Sequence, residues 1–238
     1  MFNAPSGPVK IALVGATGMI GRAVIDACVG REDVRLVGIA RREMKLPVGA
    51  RMELFVAEPD HWEEVLEAVR PQVMINALGT TLKKSGGDED AFRAVDQELV
   101  LEVARAAHRQ GVQRFISVSS VGAHILAKTF YLQVKGEVER DLAKVGFRRL
   151  DILRPSLLRG ARPDDLRFVE RLGIIAAPLG NLMLQGNYRK YRAVEAATVA
   201  DAALALALTK PGGRFAHDHD AILRAAKSLP QPEPGLAV

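Results

Sequence analysis

The chain of 238 residues has one cysteine, Cys28, so an internal disulfide and a cysteine-based metal centre are both excluded. Aromatic side chains make up only 5% of it, too few for the stacking platforms on which single-stranded nucleic acid lies. No run of about 18 apolar residues occurs, so no membrane span is expected. Met1 to Pro8 lacks the basic start and apolar stretch of a secretory signal. Internal repeats and low-complexity blocks are absent too. These absences lead to the expectation of a cytoplasmic protein.

Composition is otherwise that of a globular chain: 48% hydrophobic and 26% charged, which excludes a disordered or collagen-like protein. A chain of this length hides roughly 70–75% of its extended surface on folding, enough for a core without staples. The net charge of +5 raises the question of nucleic acid. The basic residues are interleaved with acids, as in Arg31-Glu32-Asp33 and Glu139-Arg140-Asp141. No nucleic-acid partner is therefore expected, and the excess charge is read as a bias towards anionic small molecules.

The organising signal is alternation. Val9-Lys-Ile-Ala-Leu-Val14, Val34 to Ala40, Glu53 to Val56, Val73 to Asn76, Phe115 to Val118 and Leu150 to Leu153 read as six short strands. Between them, apolar residues recur at helical spacing: Met19/Ile20/Ala23/Val24/Ala27, Trp62/Val65/Leu66/Val69, Phe92/Val95/Leu99/Val103/Ala107 and Phe130/Val134/Val138/Leu142/Val145. Gly111 and Gly146 close the last two helices. Strands apolar on both faces and separated by helices predict a Rossmann-type, doubly wound parallel sheet with helices on both faces.

After Ser156 the rhythm breaks down, and 82 residues remain. They contain a helix-like piece around Asp165 to Ile175, a Gly/Pro/Asn-rich stretch from Pro178 to Asn187 and an Ala-rich helix from Val194 to Leu208. A turn at Pro211-Gly-Gly213 and a short helix through Lys227, capped by Asp218 or Asp220, complete them. The expected organisation is a single domain: a core over 9–158, a small substrate-side appendage over 159–227 and a tail over 228–238.

Gly15-Ala-Thr-Gly-Met-Ile-Gly21 lies between the first strand and the first helix, the context that a dinucleotide-binding glycine loop requires. Gly15 permits the tight turn, Gly18 the approach of a pyrophosphate, and Gly21 close packing of helix on strand, with free helix N–H groups facing the anion. About 20 residues on, where an acid would select NAD, the second strand runs into Arg41-Arg42. Two guanidiniums there suit a 2′-phosphate and favour NADP(H) over NAD(H).

Tyr131 and Lys135, at i and i+4, stack on one helix face, where the ammonium favours a phenolate fit for acid–base work. Ser119 and Ser120 end the preceding strand, at the carboxyl edge where doubly wound folds bind ligands.

In this order, Gly15/Gly18/Gly21, Asn76-Ala-Leu-Gly79, Ser120, Tyr131 and Lys135 resemble the short-chain dehydrogenase/reductase superfamily in its extended, atypical part. Phe130-Tyr-Leu-Gln-Val-Lys-Gly-Glu-Val-Glu139 and Arg154-Pro-Ser-Leu-Leu158 are similar to the Tat-interacting-protein oxidoreductase-like branch, NmrA-like and epimerase-like, and its small bacterial relatives. The likeness runs from about Val9 to Lys227. It implies that Tyr131 donates the proton to a substrate carbonyl, that Lys135 binds the nicotinamide ribose and tunes Tyr131, and that Ser120 holds the carbonyl oxygen, with Ser119 in reserve. It also implies that Gly15, Ala16, Thr17, Gly18, Met19, Ile20 and Gly21 hold the cofactor with Arg41 and Arg42, that Leu78, Gly79 and Thr80 line it, and that Pro155 and Ser156 border its nicotinamide end. The 11 residues from Ser120 to Tyr131 are fewer than in typical sugar epimerases of the superfamily.

The expected partners are a small-molecule substrate and, on the branch's links to regulation, a regulatory protein. A monomer or homodimer is expected, and no metal: His217-Asp-His-Asp220 reads as a helix start and solvated loop. His61, His108, Lys83-Lys84 and Arg189-Lys190 read as surface groups, and Trp62 as core. Substrate choice is assigned to the region from Arg159 to Tyr191.

Overall fold

The computed structural model describes residues 7–159 and 186–231. The apolar runs form β1 (Val9–Val14), β2 (Val34–Ala40), β3 (Glu53–Val56), β4 (Val73–Asn76), β5 (Arg114–Val118) and β6 (Arg149–Leu153). All pair in parallel in the order β3-β2-β1-β4-β5-β6, with β9 (Gly213–His217) added beyond β6. Leu13 illustrates why: it lies opposite Gly38 on one side and Ile75 on the other, and is fully buried. A side chain with sheet neighbours on both sides and a helix above belongs to a central strand, which is where β-branched and aliphatic residues are stable.

Helices cover both faces. The first layer contains α1 (Met19–Ala27), α6 (Ala196–Leu208) and α7 (His219–Lys227), packed on Ile11, Leu13, Ile75, Ile116 and Leu153. The second contains α2 (Trp62–Val69), α4 (Val100–Arg109) and α5 (Phe130–Val145), packed on Ala12, Val14, Met74, Phe115 and Ile152. Alternate residues of each strand thus feed alternate cores. Helix α6 is buried along nearly its whole length, because α1, α7 and the sheet enclose it; its alanines permit that close approach.

Three features differ from the sequence expectations. A seventh strand, β9, joins the sheet with Gly213 opposite Arg149 and His217 opposite Leu153; half-exposed and lacking an apolar run, it is held by pairing rather than pattern. The helix over Phe92 to Ala107 is not uniform: α3 (Glu89–Arg93) passes into a π-helical turn, Ala94–Leu99, before α4. The Ala-rich helix begins at Ala196, because Val194–Glu195 forms β8, which pairs in parallel with β7 (Leu158–Arg159).

Other positions agree. Gly111 follows the cap residue Gln110 with φ +81°, and Gly146 ends α5 with φ +104°. Asp218 stands at the N-cap of α7, though its side chain makes no cap hydrogen bond, and Asp220 lies in the first turn. The helix-like piece at Asp165 to Ile175, and the Pro178 stretch as far as Gln185, lie outside the described residues. Gly186–Tyr191 forms a 3-10 turn.

Candidate cofactor and catalytic site

Because all seven strands are parallel, every strand ends on the same side of the sheet. That edge gathers the glycine loop after β1, Arg41-Arg42 after β2, Ala77 to Thr80 after β4, Ser119-Ser120 after β5 and Arg154 to Ser156 after β6. Between β1 and β4 the strand order reverses, and the crevice opened there is where such sheets take ligands.

The glycine loop is built for close approach. A Cβ on Gly15 (φ +80°) would stand 2.3 Å from the Ala77 carbonyl carbon, and one on Gly21 2.2 Å from the Gly15 oxygen. The Gly18 amide donates to the Gly15 carbonyl at 3.0 Å. Gly18 is the N-cap of α1, with no side-chain cap and no acid in the first turn. The helix therefore presents uncapped N–H groups and its positive dipole end to the crevice, which fits the pyrophosphate of a dinucleotide. Arg22 donates to the Thr17 carbonyl and steadies the loop. Arg41 and Arg42 are exposed at the end of β2.

The opposite wall is tied down by its own amides. Buried Asn76 donates to Ser117 Oγ at 3.0 Å and accepts from the Leu78 N–H at 3.2 Å. The Thr80 N–H donates to Asp96 Oδ2 at 2.6 Å. Gly79, between them, leaves a gap: a Cβ there would be 3.5 Å from Asp96 Oδ1 and 4.0 Å from Lys135 Nζ.

Helix α5 carries the acid–base candidates. Lys135 is buried, with its ammonium 2.7 Å from Asp96 Oδ1. Burial draws its pKa down, but the neighbouring Tyr131, Asp96 and Glu139 outweigh that and hold it above the usual lysine value. Tyr131, one turn earlier, is half-buried with its ring 5.7 Å from that of Phe92, itself against Phe130 at 5.8 Å. Arg93 binds Glu137 at 2.7 Å, joining α3 to α5, and keeps the Glu137 carboxyl below the usual range.

The loop from Ser119 to Thr129 returns from β5 and packs its backbone on this helix. A Cβ on Gly136 would stand 2.3 Å from the carbonyl carbon of His124, and the His124 N–H donates to Leu132 O at 3.2 Å. The two serines differ in engagement. Ser119 donates to Glu139, whose carboxylate also accepts from Arg154. Ser120 makes only a 3.4 Å contact with the Val121 carbonyl. The Pro155 carbonyl accepts from the Val121 N–H at 2.9 Å, and Ser156 donates to the Arg192 carbonyl.

Sequence reasoning missed Asp96, Gly136 and the Glu139–Arg154 pair. Asp96 left a signal, since it lies four residues after Phe92, on the apolar face of its helix. The histidines of the 217–220 run separate: His217 bonds buried Asp151 at 2.8 Å, correcting the loop reading, while His219 is buried in the first turn of α7. His61 and His108 are exposed. Arg189 lies 3.3 Å from Asp220.

Fold order, glycine loop and switch-point crevice define a dinucleotide-binding Rossmann protein. A family model described as NAD(P)H-binding matches residues 15–211, and the chain belongs to that family. It is 34% identical over 201 residues to Protein FMP52, mitochondrial, of Eremothecium gossypii, covering 83% of this chain and 88% of that one. To Protein FMP52, mitochondrial, of Saccharomyces cerevisiae it is 30% identical over 181 residues, covering 75% and 78%.

Among solved structures, the fold is similar to UDP-glucose 4-epimerase from Thermotoga maritima with UDP-glucose (TM-score 0.66, 16% identity, 92% of this chain and 82% of that one). It is similar also to the Thermus thermophilus UDP-glucose 4-epimerase complex with NAD (TM-score 0.65, 18% identity, 92% and 82%). These neighbours agree with the atypical, epimerase-like group of the short-chain dehydrogenase/reductase superfamily. The expectation of a cytoplasmic protein is corrected: curated relatives at this identity are named mitochondrial. It rested on missing segments, and a missing segment does not identify a compartment.

Proposed function

We propose that the protein is an NADP(H)-dependent oxidoreductase of the short-chain type, interconverting a small carbonyl compound and its alcohol. The observation that carries this reading is the buried Lys135 ammonium beneath the Gly79 gap, with Tyr131 one helical turn before it. Gly15 to Gly21 would hold the pyrophosphate on the uncapped start of α1, with Arg41 and Arg42 on a 2′-phosphate. Leu78, Gly79 and Thr80 would form a wall without free amides at Leu78 and Thr80, since both N–H groups are already donated. A bound nicotinamide supplies or accepts the hydride.

The remaining roles belong to the chain. Tyr131 would give its hydroxyl proton to the substrate oxygen in reduction and take it back in oxidation, steadied by the positive charge of Lys135. Ser120, whose hydroxyl has only a long contact of its own, would hold that oxygen; Ser119 is committed to Glu139. Pro155 and Ser156 would border the nicotinamide end.

A second reading, a cofactor-reporting protein with little turnover, is favoured by the exposed Ile125 and Leu126 at the tip of the Ser119–Thr129 loop. An apolar tip beside the site suits a protein partner.

Calorimetric titration of NADPH and NADH into wild type and Arg41→Ala/Arg42→Ala tests cofactor choice. Charge-assisted bonds contribute about 1.5–3 kcal/mol each, so the double variant should lose tenfold or more in NADPH affinity and little for NADH. Failure of wild type to bind either cofactor sinks the proposal. In a carbonyl screen, Tyr131→Phe should lose turnover and keep cofactor binding; turnover equal to wild type refutes its acid–base role, and absence of turnover in wild type favours the second reading.

A further inference from the structure

We infer that Asp96 is a positioning residue of this site, its carboxylate fastening the Lys135 ammonium to the loop after β4 so that Lys135 stands fixed beneath Gly79. The inference deepens the proposed function and rests on it. Asp96 is fully buried, and its two oxygens serve two different elements: Oδ1 lies 2.7 Å from Lys135 Nζ on α5, and Oδ2 accepts the Thr80 N–H at 2.6 Å. One side chain therefore joins the crevice wall to the helix that carries Tyr131.

Stability does not explain such a pair. Burying two opposite charges costs about as much in desolvation as their attraction returns, and well-packed apolar residues would serve a core equally well. The backbone is also unusual here. Asp96 lies in the π-helical turn between α3 and α4, a distortion that in helices is frequent at functional sites.

Asp96 Oδ1 is closed to solvent, and its contact in this cluster is the 2.7 Å ion pair with Nζ. Asp96 thus reaches no ligand itself, while the ammonium, with three N–H donors, keeps donors for another acceptor. The Gly79 gap lies over both atoms, at 3.5 Å from Oδ1 and 4.0 Å from Nζ for an added Cβ. Among the described residues, the other titratable groups acting on Lys135 are Tyr131 and Glu139 of its own helix, and Asp96 is the one carboxylate from another element.

The test is Asp96→Asn, which preserves the volume and an acceptor for the Thr80 N–H but removes the charge facing Lys135. The first readout is the urea midpoint from pH 7 to 10. In wild type Lys135 stays protonated throughout. In the variant, burial is opposed less and the folded state releases that proton at lower pH than the unfolded chain. Unfolded then binds more protons than folded, so variant stability rises with pH and its deficit against wild type, widest near pH 7, narrows. A deficit independent of pH is the signature of packing alone and overturns the inference.

The second readout is calorimetric NADPH and NADH affinity. Asp96→Asn should bind at least tenfold more weakly than wild type, and Asp96→Asn/Lys135→Gln no more weakly than Lys135→Gln. Wild-type affinity in Asp96→Asn, or losses that multiply in the double variant, overturn the inference while the proposed function stands. Absence of wild-type binding removes both. Should Asp96→Asn not fold, adding Lys135→Gln must restore folding, because the stranded ammonium is gone; an unfolded double variant also overturns it.

Discussion

Gly136→Ala offers a sharp test of how the site is assembled. On an exposed helix, alanine in place of glycine stabilises by about 1 kcal/mol. Here the new Cβ would fall 2.3 Å from His124 C and 2.6 Å from His124 Cα and N. All three are backbone atoms, so no rotamer change relieves the clash. Carbon atoms need about 3.5 Å, so the Ser119–Thr129 loop must retreat by roughly 1 Å. Overpacking of this kind costs about 1–3 kcal/mol, and the helix gain offsets part of it. The expected result is a loss of up to about 2 kcal/mol in urea unfolding, or about 2–4 °C of Tm for each kcal/mol in a chain of this size. Since this loop carries Ser120, turnover should fall more than cofactor affinity. A variant about 1 kcal/mol more stable than wild type, with unchanged kinetics, would refute the docking of this loop on α5.

Other outcomes follow from single contacts. Phe92→Ala removes a fully buried ring that packs on Phe130 and Tyr131; it should cost about 3–5 kcal/mol in chemical denaturation, and a loss under about 1 kcal/mol would mean that the ring is not a core member. Asp151→Ala strands the buried Arg149 guanidinium and frees His217. Its unfolding free energy should drop by about 3–5 kcal/mol, and wild-type stability would show that water already reaches Arg149. Glu63, hydrogen-bonded to Arg109 and Gln110, has its pKa pulled down to about 2. Its contribution is present above the unfolded value and vanishes as pH falls towards 2. The urea midpoints of wild type and Glu63→Gln should therefore converge on acidification from pH 5 to 2; a constant gap rejects the pairing of α2 with α4.

The sheet was legible from sequence because its chemistry is local and repetitive. A parallel strand covered on both faces is largely apolar, and its crossover helix must show a stripe, so the central strands β1, β2 and β4 and the helices α1, α2, α4 and α5 declare themselves, while the part-exposed edge strand β3 gives a weaker signal. The glycine loop was legible for the same reason: Gly15 and Gly21 permit contacts within a few residues of themselves or with the adjacent strand. Tyr131 and Lys135 could be paired because helical geometry fixes i and i+4.

What only the tertiary structure decided are contacts between distant segments. Strand β9 carries no apolar run, and its place beside β6 comes from ladder hydrogen bonds that composition does not encode. Asp96 stands 39 positions before Lys135, and only the π turn and the packing of α5 bring the two together. Gly136 looked like any helical glycine until the His124 backbone was laid on it. Ser119 and Ser120 are indistinguishable in sequence, and the Glu139–Arg154 pair separates them by engaging one hydroxyl. Local periodicity reports which way a residue faces, whereas the identity of what it meets there is settled by chain segments whose separation in sequence carries no periodic signal.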